Sequence, residues 1–192
     1  MTDKPVYYWD ACLFYEVVGN ESPPAAQKTA VDEILAANEK KENIIVTSVI
    51  SHLEVLPNKL TAKGVDEQDY LALFDAEHFV EVQIDTNILL RAREIRNFYS
   101  TPPDATGQNS KWMDLGDAIH LATASILGVA AFHTRDKSKK GNKVPLIGLY
   151  ALAGHDKLCG KFDLTILSPE SEQSALDVQG NNPPLNKVPY TE

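Results

Sequence analysis

Four acidic residues, Asp10, Glu54, Asp117 and Asp136, are the side chains in this sequence best suited to chemistry. Asp10 ends the β-prone run VYYW and Asp136 stands just past the run VAAFHT; Glu54 and Asp117 fall on helical segments that follow shortly after a strand or loop. In parallel α/β sheets, binding and catalysis collect at the C-terminal ends of the strands. Carboxylates gathered at one such edge repel each other, and cations offset that repulsion. An all-oxygen set suits magnesium or manganese, which keep several waters and so leave room for a phosphate. The chemistry implied is metal-assisted phosphodiester hydrolysis, with one ion activating water and one steadying the leaving oxygen. Each acid alone has a plain structural reading: Asp10 as a helix cap, Glu54 as solvated surface, and Asp114-x-x-Asp117 as a capping box. The set is stronger than its members.

The elements that must carry these acids follow from the periodicity of apolar residues. Val6 to Trp9 predicts a strand, after which ACLFYEVV continues as a short helix. Ala30, Val31, Ile34, Leu35 and Asn38 recur at helical spacing behind Pro23-Pro24. Ile44 to Thr47 predicts a buried strand, and Ser48 the N-cap of a helix running towards Pro57, with Val49, Ile50, Leu53 and Leu56 as its apolar stripe. Glu54 lies at the edge of that stripe, about 100 degrees round from Leu53, where it can face a cleft. A helix over 66–77, a strand over 79–85 and a helix over 87–99 come next. MDLGDAIHLATASILG predicts a helix ended by Gly128, and VAAFHT a strand after it. Residues 137–161 read as a loop with one helical turn or two, and FDLTILS as a last strand. Helix and strand alternate, which implies a parallel sheet.

The 192 residues fit one domain with an appendage. With 43% apolar and 23% charged residues the chain can pack a core. The 25 residues from Ser168 hold four of the eleven prolines and no periodic apolar pattern, so 1–168 is read as the domain and 169–192 as an extension. No stretch approaches the roughly 20 apolar residues of a membrane span, and the start MTDKPVYYWD lacks a secretory apolar run, which implies the cytoplasm. Cys12 and Cys159 cannot build a disulfide framework or a zinc site. The formal charge of −9 disfavours nucleic-acid binding over the whole surface but fits an enzyme that clusters carboxylates around cations.

The opening strand with Asp10, the segment TSVISHLE with Glu54, and the run GDAIHLATASILGVAAFHTRD with Asp117 and Asp136, taken in this order, closely resemble a PIN domain of the VapC toxin type over about residues 5–168. The resemblance implies a three-layer α/β/α fold around a central parallel sheet of four or five strands. It implies a magnesium- or manganese-dependent endoribonuclease leaving 5′-phosphate and 3′-hydroxyl ends. Asp10, Glu54, Asp117 and Asp136 match the family's metal-binding acids, and Thr134 matches its hydroxyl two residues before the last acid. An antitoxin partner and a homodimer follow by the same resemblance. The sequence departs from the type in the 25 or so residues before FDLTIL and in the tail. RNA processing without an antitoxin, or a catalytically weak binding or scaffold module, are the alternative readings.

Around the acids, five of the nine residues from Arg135 to Lys143 are basic: Arg135, Lys137, Lys139, Lys140 and Lys143. Their position beside Asp136 makes Arg135, Lys137, Lys139 and Lys140 candidate RNA-phosphate contacts, against the reading of a solvated loop. Arg91, Arg93 and Arg96 are a weaker second set. Trp112 can stack on an unpaired base or pack where the next helix begins. Asp114 is a supporting acid or a helix cap. His120, inside an apolar run, reads as a hydrogen-bonded core or rim histidine.

Overall fold

The computed structural model describes residues 4–19, 25–106, 110–137, 141–147, 149 and 164–169. The order is β1 (Val6–Trp9), α1 (Ala11–Val18), α2 (Ala25–Glu39), β2 (Ile44–Ser48), α3 (Ser51–Glu54), α4 (Pro57–Ala62), α5 (Glu67–Leu71), a 3₁₀ turn (Ala72–Asp75), β3 (Phe79–Val82), α6 (Thr86–Tyr99), α7 (Leu115–Leu127), β4 (Ala131–His133) and β5 (Ile166–Leu167). The five strands form one parallel sheet in the order β3-β2-β1-β4-β5. The chain moves outward from β1 through β2 to β3, then crosses back to place β4 on the other side of β1. The strand order therefore reverses at β1/β4, the kind of crevice in which open α/β sheets bind ligands.

Alternation along each strand splits the core into two. Tyr8, Val46 and Phe132 face one side, where they pack with Ile88, Ile95, Leu121 and Leu146 beneath α6 and α7. Trp9 and Ile45 face the other, against Phe14, Val31, Leu60, Tyr70 and Phe79 from the α1, α2, α4 and α5 side. The sheet is thus covered on both faces, as the three-layer expectation required.

The segment after β2 differs from its predicted form. The helix expected from Ser48 to Pro57 is one turn, Ser51–Glu54, because Val55 is extended, as is Leu56, the residue before a proline. Pro57 then opens α4 at its first turn, where no amide donor is missed. With the stripe cut, Leu53 is 77% exposed instead of buried. The helix read over 66–77 is likewise split into α5 and the 3₁₀ turn, and β5 is shorter than FDLTILS. Leu146, Ile147 and Leu149 supply the helical turn expected within 137–161. Lys139, Lys140, Cys159 and the extension beyond 169 lie outside the described residues.

Asn38, which the helical spacing placed with the apolar face of α2, is buried. Its side-chain amide donates to Asn43 Oδ1 at 2.9 Å and to the His78 carbonyl at 3.2 Å, and Asn43 in turn donates to the Ile34 carbonyl at 3.0 Å. These bonds fix the chain just before β2 and β3. Asn38→Ala strands buried acceptors and is expected to cost about 2 kcal/mol in urea unfolding. An unchanged midpoint would show that the bonds are dispensable.

Candidate active site

Strand register sets the first half of the site. Trp9 pairs with His133, so the next residue on β1, Asp10, and the next on β4, Thr134, emerge side by side from the C-terminal edge. Asp10 caps α1: its Oδ1 accepts the Cys12 amide at 3.0 Å and the Cys12 thiol at 2.7 Å, while Thr134 Oγ1 donates to Oδ2. Thr134 also accepts the Asp136 amide at 3.0 Å, so one hydroxyl fixes Asp10 and the backbone of Asp136 together. Burial pushes the Asp10 carboxyl above the usual carboxylate range, against the opposing pull of Cys12 and Thr134. Burial also pushes the Cys12 thiol up, with Asp10 adding to the effect, which keeps it a neutral donor.

The second half comes from α7. Asp114 is its N-cap, accepting the Gly116 amide at 2.9 Å, and Asp117 lies buried in the first turn. Burial raises Asp117 to about 6, although Lys143 beside it pulls the other way. Lys143 Nζ stands 2.9 Å from Asp117 Oδ2 and 3.6 Å from Asp136 Oδ2. Both oxygens are buried without a directed hydrogen bond among the described residues, and both face this shared charge. The structure therefore draws Asp117 and Asp136 to a common cation beside the Asp10–Thr134 pair.

Glu54 is held by a different device. Its Oε2 lies 2.8 Å from His120 Nε2, and His120 Nδ1 lies 2.7 Å from the Tyr8 hydroxyl. The Ser48 amide donates to that hydroxyl at 2.9 Å. The Glu54 carboxylate can only accept, so Nε2–H donates to it. Tyr15 anchors the same residue by donating to its carbonyl at 2.9 Å. Glu54 Oε1 lies over Gly116, where a Cβ would come within 2.2 Å of it, so a side chain there would expel the carboxylate. His120 was legible as a bonded histidine three residues from Asp117; Tyr8 and Lys143 carried no sequence signal for their parts here.

The remaining candidates flank the acids. The Arg135 guanidinium is bound in a fork to Glu16, at 2.8 and 3.0 Å, and also meets Ser168; its amide donates to Cys12 Sγ at 3.0 Å. Lys137 is exposed. Trp112 is 43% exposed and lies along a groove with Leu89, Leu90, Arg93 and Leu115.

The PIN domain family matches residues 7–140, more than two thirds of the sequence. The chain belongs to the PIN domain family. No curated protein matches it. Among solved structures, a chain described as "Toxin-antitoxin complex from Klebsiella pneumoniae" aligns over 72% of this PIN domain protein and 95% of its own length, with 18% identity and a TM-score of 0.45.

The donor set of this site would suit a divalent ion on chemical grounds. Its donors are hard oxygens, two of them are buried and lack directed hydrogen bonds, and a cation already balances them. No three acidic, histidine or cysteine side chains among the described residues are grouped as a ready cage. Magnesium needs none, since it binds through one or two carboxylates and keeps its waters.

The raised Asp117 sets a pH test. Its folded pKa of about 6 exceeds the ordinary aspartate value of 3.8, so the folded state binds the extra proton between those values. Stability in chelator should therefore fall as pH rises from about 4 through 6, and melting curves of Asp117→Asn should show a flatter profile. A parent whose melting temperature rises with pH across that window, with no difference in the variant, would contradict the buried, underbalanced carboxylate.

Proposed function

We propose that this PIN domain is a magnesium- or manganese-dependent endoribonuclease and the toxin of a type II toxin–antitoxin pair. The observation that carries the hydrolase reading is the Asp117–Asp136 pair, whose buried oxygens share one cation, beside Asp10 at the point where strand order reverses. The toxin reading rests on the resemblance of the segments around Asp10, Glu54 and Asp117 to VapC-type proteins. An antitoxin covering the acidic cleft, a homodimer and a cytoplasmic location belong to that reading. So does the division into a nuclease domain over 1–168 and an extension over 169–192.

Asp10, Asp117 and Asp136 would hold the ion, with Glu54 completing the acidic set. When bound, such an ion lowers the pKa of its water and stabilises the leaving oxygen of a phosphodiester. The chain's own part is positioning. Thr134 and the Cys12 amide hold Asp10, and His120 keeps Glu54 aimed with one oxygen committed and the other over Gly116. Asp114 caps α7 and so fixes Asp117. Arg135, tied to Glu16, supports the turn between Thr134 and Asp136, and Lys137, Lys139, Lys140 and Trp112 are the candidate RNA contacts.

Single-stranded RNA should be cut with magnesium or manganese and not in excess chelator, leaving 5′-phosphate ends. Asp136→Asn should reduce the rate by more than about 100-fold with an unchanged circular dichroism spectrum. Full activity in chelator, or in the variant, would sink the metal mechanism. For the toxin role, expression of the parent should arrest growth and expression of Asp136→Asn should not.

Substrate contact is read separately. Lys137→Ala should weaken RNA binding alike for all sequences and reduce the salt dependence by about one unit of log slope. An unchanged slope would return Lys137 to ordinary surface.

A further inference from the structure

Lys143 is not placed like a surface lysine. Trp112 N donates to the Asn142 carbonyl and Val144 N to the Trp112 carbonyl, each at 3.0 Å, so the backbone on both sides of Lys143 is clamped to one residue. Val144 and Leu146 are then buried in the α6–α7 side of the core, and Ile147 N donates to the Asp136 carbonyl at 3.0 Å. This anchored segment delivers the lysine side chain, only 23% exposed, to acids that are 12% and 19% exposed. Lys41 and Glu77, by contrast, pair in open solvent.

We propose that Lys143 is a tethered cation that takes the place of the divalent ion on Asp117 and Asp136 and sets how tightly that ion binds. The inference rests on the metal-dependent reading above and adds a residue to it. Two carboxylates held together, one buried and one mostly so, need positive charge to offset their repulsion in the folded chain. Lys143 supplies a single charge from within, which lets the metal-free protein keep its cleft formed. A divalent ion on the same oxygens must displace the ammonium, so each gain in metal binding is offset by a lost ion pair. Affinity is lowered by that competition, while the site remains assembled without metal.

The test uses the full chain, stripped of metal, with Mn²⁺ as the probe. Lys143→Met keeps the length of the side chain and removes its charge; Lys143→Gln is a second neutral variant that can still donate to Asp117; Lys143→Arg keeps the charge. Titration followed by calorimetry, or by the electron paramagnetic resonance of free Mn²⁺, should give a Kd about tenfold lower for the neutral variants than for the parent, corresponding to one ion pair. Lys143→Arg should stay close to the parent. Melting in chelator should be lower for Lys143→Met than for the parent, and Mn²⁺ should stabilise that variant more. Equal or weaker Mn²⁺ binding by the neutral variants would overturn the proposal and leave the metal-dependent nuclease standing. Absence of Mn²⁺ binding by the parent and by every variant would remove the metal reading, and this proposal with it.

Discussion

Like charges placed together out of water are the constraint around which this PIN domain is arranged. Asp10 and Asp117 are buried, and both are pushed towards their neutral forms by that burial. Each acid is therefore met by a specific countermeasure. Asp10 receives the Thr134 hydroxyl, the Cys12 thiol and the Cys12 amide; Glu54 receives an imidazole N–H; Asp117 and Asp136 receive an ammonium. These partners come from α1, the end of β4, α7 and the segment after Asp136, so the acids can be assembled only when the whole sheet edge is.

Strand topology makes that assembly compact. Because β1 is central and β4 joins it on the side away from β2, residues 10 and 134 lie side by side although more than a hundred positions separate them. The two core layers then lock the edge from both faces. Tyr8 shows the link directly, since its ring stacks on Phe132 at 5.0 Å within the core while its hydroxyl joins Ser48 to His120. A core residue thus aims a site residue, and a change in packing beneath α7 would reach Glu54 through two hydrogen bonds.

What was legible in the sequence follows from how local each feature is. The strand ending at Asp10, the helix capped by Asp114 and closed by Gly128, and the parallel sheet were readable from apolar spacing and capping residues. The Ser48–Pro57 helix was misread because apolar spacing continues through Leu53 and Leu56, while the proline decides the backbone of the residues just before it. The four acids could be named, and two of them placed at strand ends and two on helices, without any contact being known. Their partners could not. Lys143 looked like one of five charges in a basic run, yet the clamp at Trp112 turns it inward to Asp117, and nothing in the spacing of the run encodes that turn.

The two cationic or donor devices at the site are physically different, and this divides the work among the acids. His120 is a fixed donor: it lies between the Tyr8 hydroxyl and Glu54 and orients the carboxylate. It is also enclosed, with its ring edge-on to Tyr8, so it cannot swing away when the site is loaded. Lys143 carries a full charge on a flexible stem, so it balances Asp117 and Asp136 and can leave them. An acid held by an enclosed ring keeps its position. Acids held by a mobile charge are those whose balance can change when another cation arrives. On these grounds Glu54 is the most rigidly oriented of the four, and Asp117 and Asp136 are the better suited to exchange one cation for another.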